Sequence, residues 1–441
     1  MFSGGCATLC TAVPKCAILI TSVKKGTSME LSAELQWRGM IKDRTFEDVH
    51  WLDTPGTFYL GSDCSSDSLT IGNLAVYMLA RQLLAHGWKA VLLVGGATSL
   101  IGDPGGKEEE RRLKSHEEIE HNVRGIQAQV RRLVAGHDFI TVNNYDWFRE
   151  LGYLEFLRDV GKHYSMTELV QRDFIATRMG EGGSGISYAE FSYSLIQGYD
   201  YWWLHTHHGV NLQIGGSDQW GNMLSGVPLI RKKEGHEVHA LSMPLVINKA
   251  TGRKFGKSEA GAVWLDAART SPTQFYQFWI NSDDEAVEEY LKIYTLLDAA
   301  GLESVMAAHR RNPEVRAAQQ QLAYEVTALV HGADAAALAQ AVTGYLTGAT
   351  PLNGADKTGM AGLRQEIPAV KTAADGSVLD ALVRGGLAGS RTEARRLLAG
   401  GAVYLSGQRI SREQFAPEDF KGGAALLRRG KAFKDALLVE L

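Results

Sequence analysis

Thr57-Phe-Tyr-Leu-Gly61 and Ala90-Val-Leu-Leu-Val-Gly-Gly96 flank a stretch with helical spacing, and the three together decide the fold. The first reads as a short strand running into the polar loop Ser62-Asp63-Cys64-Ser65-Ser66-Asp67-Ser68. A helix opens at about Gly72, carries Leu74, Met78, Leu79 and Leu83, and stops at Gly87. The second segment is continuously apolar, as a strand buried on both faces must be. Strand, helix and strand joined by short links form a βαβ unit, which implies a parallel sheet with helices packed on its faces.

Outward from this unit the pattern continues. A helix is expected over roughly 115–135, and strands resume at 210–214 and 243–247. The aromatic and charged stretch of about 140–210 reads as an insertion between two halves of the sheet. Beyond about 259 the spacing becomes helical: Val287, Leu291, Tyr294 and Leu297 share one face, and Asn312-Pro313 reads as a helix start. Residues 348–376, with seven Gly or Pro in 29, read as a linker. A last module begins near Ser377, where Ser390-Arg-Thr-Glu393 forms a capping box and Val403-Tyr-Leu405 a strand turning at Ser406-Gly407.

Composition bounds the class. The chain has 441 residues, 45% hydrophobic and 22% charged, which suits a folded protein of several domains. Apolar runs such as Cys16-Ala-Ile-Leu-Ile20 are far below the ~20 residues of a membrane span. Three of the four cysteines (Cys6, Cys10, Cys16) fall within residues 1–28, without a CxxC pair or a histidine partner, and that stretch reads as a disordered or non-native extension. The body then carries Cys64 alone, and a reducing cytoplasmic location is expected. The net charge of −4 speaks against a generically basic nucleic-acid binder. It is an average, however: residues 377–441 hold 11 basic and 7 acidic side chains, a net of +4 against −8 for the rest. A small basic module on an acidic body is a candidate nucleic-acid contact.

Four stretches carry chemistry. Tyr59-Leu-Gly61-Ser-Asp63-Cys-Ser65 through Thr70-Ile-Gly72-Asn73 ends a strand and opens a helix, and free N–H groups there suit nucleotide phosphates. Lys254-Phe-Gly-Lys257-Ser258 sets two lysines three apart, fit to neutralise a departing polyphosphate. Gly95 to Lys107, followed by Arg111, is a second glycine-rich turn. Gln213-Ile-Gly-Gly216-Ser-Asp218-Gln219-Trp220-Gly-Asn222 places an acid and an amide at a strand's C-terminal end, where open α/β sheets bind ligands. Singly, the first also fits any βα turn and the second a solvated basic turn. His205-Thr-His207-His208 lacks an adjacent Cys or carboxylate cluster, and no dedicated metal site is expected.

In this order and spacing the four stretches resemble the bacterial tyrosyl-tRNA synthetases, a class I family with signature motifs called HIGH and KMSKS. The likeness runs over roughly 30–441 and includes Asn143-Asn-Tyr-Asp-Trp147, Phe156–His163 and Tyr276–Asn281. It implies an α/β Rossmann-type catalytic domain over 29–258, a helical anticodon-binding domain over 259–347 and a small α+β S4-like RNA-binding domain over 377–441. It also implies a homodimer. The implied activity is activation of tyrosine by ATP with Mg²⁺, no prosthetic group, and transfer of tyrosine to tRNA(Tyr).

By the same resemblance, Tyr59 and Asp200 bind the substrate phenol, while Tyr193, Gln197 and Asp103 hold its ammonium and Gln219 its carboxyl. Tyr193 and Gln197 lie four apart and share a helix face. Gly61, Asp63, Gly72 and Asp218 would orient the nucleotide. Lys254, Lys257, Ser258, Lys107, Arg111, Ser65, Thr70 and Asn73 would stabilise the pyrophosphate. Asp283 corresponds to an anticodon contact, and Arg391, Arg395 and Arg396 to RNA phosphate contacts. Thr70 and Asn73 replace the family's usual histidines, and Ser62 and Cys64 are further departures. A catalytically impaired RNA-binding relative and a ligase for another aromatic amino acid are the rival readings.

Overall fold

The first strand, β1 (Thr57–Asp63), occupies the middle of an all-parallel sheet. Its companions are β2 (Lys89–Gly95), β3 (Phe139–Asn143), β4 (Leu212–Gly216) and β5 (His239–Met243), in the order β3-β2-β1-β4-β5. This computed structural model describes residues 29–103, 114–171, 173–248, 252, 255, 257–258, 261–430 and 435–441, with the side chains of 173, 174, 257 and 258 left aside. Residues 1–28, Lys107, Arg111, Lys254 and Gly256 lie outside the described residues.

Chain order reverses between β1 and β4, so their C-terminal ends open a crevice at the topological switch point. Helix α1 (Leu31–Arg38) precedes the sheet, and α2 (Ile71–Ala85) follows β1. Leu74, Met78, Leu79 and Leu83 of α2 are fully buried, and Gly87, at φ +87°, permits the turn into β2. After the short α3 (Gly96–Ile101) comes α4 (His116–Leu133), capped by the Ser115 hydroxyl accepting from the Glu118 N–H. Ile119, Val123, Ile126 and Val130 form its buried stripe.

The strand expected at 243–247 lies four residues earlier. Met243-Pro-Leu-Val-Ile247 is the more apolar run, but Pro244 has no N–H for a ladder, and the chain leaves the sheet there. Asn312-Pro313 opens a single 3₁₀ turn rather than the helix. The helix starts at Ala317, after Arg316 takes a left-handed φ of +56°.

The helical segments 272–347 share the parallel-sheet domain's core through Phe275, Trp279, Tyr290 and Tyr294. Arg38, only 3% exposed, adds a polar tie. Its guanidinium donates to the carbonyls of Lys292 (2.6 Å), Thr295 (3.1 Å) and Leu297 (2.9 Å), closing the end of the Val287–Tyr294 helix.

The segment read as a linker is structured. It forms a helix, Lys357–Glu366, and a strand, β8 (Ala369–Lys371), once the hairpin β6 (Lys257–Ser258) and β7 (Gly261–Ala262) is counted. Two of the glycines that suggested a linker are instead packing residues. A Cβ on Gly362 would stand 2.8 Å from Val342 Cγ2, and one on Gly359 3.0 Å from Tyr345. The C-terminal sheet adds β9 (Val403–Leu405), β10 (Gln408–Arg409), β11 (Ala424–Arg429) and β12 (Ala436–Glu440), ordered β10-β9-β11-β12-β8. One face packs on helices Val378–Arg384 and Arg391–Ala399. The other buries Ala424, Leu426 and Leu438 against Val342, Leu346, Leu363 and Ile367.

Candidate active site

A cavity of about 400 Å³ opens at the C-terminal ends of β1 and β4. Its lining brings together residues far apart in sequence: Tyr59, Gly61, Asp63, Thr70, Gly72, Asn73, Asp103, Tyr193, Gln197, Asp200, Asp218 and Gln219. Phe255 and Ala262 border the same space from the lysine-bearing segment.

At its inner end Asp200, 1% exposed, sits on the helix Tyr188–His208. One carboxylate oxygen accepts from Trp147 Nε1 (2.9 Å), the other from Asn144 Nδ2 (3.1 Å). Burial raises this carboxyl to about 8, while the two N–H donors pull it back. The Tyr59 hydroxyl is also buried, with no hydrogen-bonding partner among the described residues, and the same holds for Gln213 Oε1. Burial, reinforced by the Asp200 charge, pushes the Tyr59 phenol well up, so it stays protonated and can donate. A fixed acceptor pair and an unpaired donor in an otherwise apolar end suit a ligand O–H, because an apolar ligand would leave them unsatisfied.

Nearer the mouth two carboxylates are already wired. Asp63 accepts from the Tyr193 hydroxyl (3.0 Å to both oxygens) and from Thr98 Oγ1 (3.1 Å). Asp103, 7% exposed, accepts from Gln219 Nε2 (2.7 Å) and Asn222 Nδ2 (3.5 Å). Tyr193 thus donates to Asp63, one of the two carboxylates in this part of the cavity. Acidic groups with oriented partners favour a bound cation. The close turn after β2 permits this wiring: a Cβ on Gly95 would lie 2.2 Å from Thr98 Oγ1, and one on Gly96 2.4 Å from Asn143 Oδ1.

The first turn of α2 faces the cavity mouth. Thr70 is its N-cap, and both the Thr70 N–H (3.0 Å) and hydroxyl (2.9 Å) donate to Asn73 Oδ1. Threonine is therefore spent on aiming asparagine, whose NH₂ group remains the donor. Thr70→Ala is expected to slow any turnover in this cavity only about 2–13-fold, the value of one neutral hydrogen bond. A loss beyond about a hundredfold in steady-state assays would give Thr70 a direct contact with the reacting groups instead.

Two departures noted in the loop are internal. Ser62 hydrogen-bonds the Tyr77 hydroxyl (2.7 Å), and Cys64 is buried with its thiol pushed up to about 12, outside reactive range. Ser65 is exposed and absent from the described cavity lining. Lys257 and Ser258 are described only through their backbone, paired in β6 and β7.

Away from the cavity, Asp283 is exposed and its carbonyl accepts from the Ala286 and Val287 N–H groups, opening the Val287–Tyr294 helix. Arg391, Arg395 and Arg396 are exposed on one helix, but Arg391 is paired with Asp380 (3.0 Å) and Arg395 with Glu413 (2.7 Å). His205 meets His236 (2.9 Å) and the Val210 carbonyl (2.8 Å).

Similarity to known proteins follows the same division of the chain. Residues 53–346 match the family described as tRNA synthetases class I (W and Y), and 360–434 match the tyrosine–tRNA ligase SYY-like C-terminal domain. A tyrosine–tRNA ligase of Anaeromyxobacter dehalogenans is 43% identical over 387 residues, covering 86% of this chain and 91% of that protein. One from Roseiflexus castenholzii is 41% identical over 416 residues, covering 90% and 96%. The chain belongs to the tyrosyl-tRNA synthetase family. The crystal structure of a C-terminally truncated Aspergillus nidulans mitochondrial tyrosyl-tRNA synthetase superposes with a TM-score of 0.64 at 29% identity, covering 71% of this chain and 93% of that one.

Within this synthetase-family cavity, reading residues alone missed Asn144 and Trp147 as Asp200's partners, and Thr98 and Asn222 as partners of the other acids. Asn144 and Trp147 were visible only as part of a family-like stretch. Nothing in their own spacing points 53 and 56 residues ahead to Asp200.

Proposed function

We propose that this chain is a tyrosine–tRNA ligase that first makes tyrosyl-adenylate. The observation that carries the reading is the buried Tyr59–Asp200 end of the cavity, which fits a phenol, beneath a helix N-terminus suited to phosphates. With the substrate phenol donating to Asp200 and accepting from Tyr59, its ammonium falls among Asp63, Asp103, Tyr193 and Gln197. Its carboxylate then faces Gln219 and the nucleotide.

One carboxylate oxygen attacks the α-phosphorus of ATP while the bond to pyrophosphate breaks in line. No enzyme nucleophile is needed, so the protein's task is positioning and charge stabilisation. Asn73, the first-turn N–H groups of α2, Lys254, Lys257, Ser258, Lys107, Arg111 and Ser65 are assigned to the departing pyrophosphate. Gly61, Gly72 and Asp218 are assigned to the nucleoside. The 3′-terminal ribose hydroxyl of tRNA(Tyr) then attacks the tyrosyl carbonyl and AMP leaves. Mg²⁺ enters as the counter-ion of ATP.

Asp283 and Arg396, with Arg391 and Arg395 after exchange of their acidic partners, are assigned to the tRNA. The basic sign of the last module supports this. The exposed apolar side chains Tyr153, Leu154, Met166, Met179 and Tyr188 in the segment between β3 and β4 support a homodimer. No helix among the described residues is long and apolar enough to cross a membrane. A cytoplasmic location is assigned on the likeness to bacterial ligases.

The test is tyrosine-dependent exchange of pyrophosphate into ATP, followed by charging of tRNA(Tyr). Exchange with tyrosine, and none with phenylalanine at equal concentration, is expected. Absence of exchange would reduce the chain to an RNA-binding relative.

A further inference from the structure

Phe255 lies between the two signature lysines in sequence, yet its ring does not point into solvent as a loop residue's would. It is 7% exposed and packs into an aromatic box contributed by the helical segment. Ring centroids lie 4.3 Å away for Tyr290, 5.1 Å for Phe278, 5.4 Å for Trp279 and 5.9 Å for Tyr294. Tyr290 and Tyr294 are four apart, so one helix face presents both. Phe278 and Trp279 come from the helix Pro272–Ile280.

The backbone of Phe255 is held on the other side. Its N–H donates to the Val246 carbonyl (2.8 Å), and its own carbonyl lies 3.6 Å from where a Cβ on Gly72 would stand, over the first turn of α2. One residue thus touches the helical segment with its ring and the phosphate-facing helix end with its backbone. Aromatic contacts of this kind add about 0.5–1.5 kcal/mol each beyond area burial.

We infer that Phe255 is a positioning residue for adenylate formation, tying the first turn of α2 to the aromatic box of the helical segment. This rests on the proposed ligase function. Phe255 borders the cavity away from its Tyr59–Asp200 end, so its effect is expected on kcat rather than on tyrosine affinity. The same link makes the helical domain's aromatic face a determinant of the chemical step.

The experiment compares pyrophosphate exchange and tyrosine binding in wild type, Phe255→Ala, Phe255→Met and Tyr290→Leu. Phe255→Ala is expected to lower kcat for exchange by about tenfold to a hundredfold, with tyrosine Kd from fluorescence titration unchanged within about twofold. Phe255→Met, which refills most of the volume, should stay within about threefold of wild type. Tyr290→Leu changes the box from outside the loop, and should lower kcat by about three- to tenfold with the same unchanged Kd. It decides the matter if Phe255→Ala does not fold. The inference is overturned if Phe255→Ala or, in its place, Tyr290→Leu keeps kcat within about twofold, or if tyrosine affinity falls in parallel with kcat. An inactive wild type would overturn the ligase function itself, a result separable from an active wild type indifferent to Phe255.

Discussion

Asp200→Asn is expected to lower kcat/KM for tyrosine by about a hundredfold, the equivalent of about 3 kcal/mol. Its amide nitrogen would confront Asn144 Nδ2 or Trp147 Nε1, both of which donate to the carboxylate now. The phenol-bound site calls for the ionised form of Asp200, whose two oxygens serve three donors, whereas the amide would offer one oxygen. The same substitution is expected to stabilise the substrate-free protein above neutral pH. Burial holds the Asp200 carboxyl at about 8 against an ordinary 3.8, so the folded state keeps a proton that the unfolded chain releases. Its contribution is therefore fully present below the unfolded value and is lost progressively as pH rises towards 8. Unfolding by urea at about pH 5 and about pH 8.5 should show wild type losing on the order of a few kcal/mol relative to the variant. Parallel pH profiles for the two proteins would mean that Asp200 is ionised throughout.

The second large effect is on stability. Arg38→Met is expected to cost about 3–5 kcal/mol, measured by urea unfolding, because three carbonyls at the end of the Val287–Tyr294 helix lose their donors inside the protein. Glu34, which now accepts from Arg38 Nε (2.9 Å), would keep His86 (3.4 Å) as its neighbour but lose its permanent cation. Adding Glu34→Gln to that variant should recover part of the loss, since a carboxylate deprived of its guanidinium is worse than a neutral amide. A single-variant cost below about 1 kcal/mol would show that the carbonyls find other partners.

Much of this organisation is legible in the residues. The βαβ core follows from apolar spacing, and most of the cavity-lining residues lie in four motifs whose glycines and acids announce a strand's C-terminal edge. What is not legible is pairing over distance. Asp200 carries no local sign of Asn144 or Trp147, and Arg38 none of the carbonyls more than 250 residues away. Glycine also misleads: at 359 and 362 it marks close helix packing, although the same residue type elsewhere marks a turn. Pro244 misplaces a strand for the opposite reason, since hydrophobicity continues past the point where hydrogen bonding fails.

The two-sided burial of the C-terminal sheet bears on what evolution or an engineer can transplant. Its rear face is completed by Val342, Leu346, Leu363 and Ile367, and its outer strand β8 precedes residue 377. A graft beginning at Ser377 would carry the arginine-bearing helix but arrive with an open sheet edge and an uncovered apolar floor, both invitations to aggregate. The helix Ala333–Thr347 serves two cores at once: Val342 and Leu346 floor this sheet, while Ala339 packs in the core of the preceding helical segments. No border on either side of that helix leaves both cores whole, so an exchange among relatives has to carry the helical segments and the C-terminal sheet together.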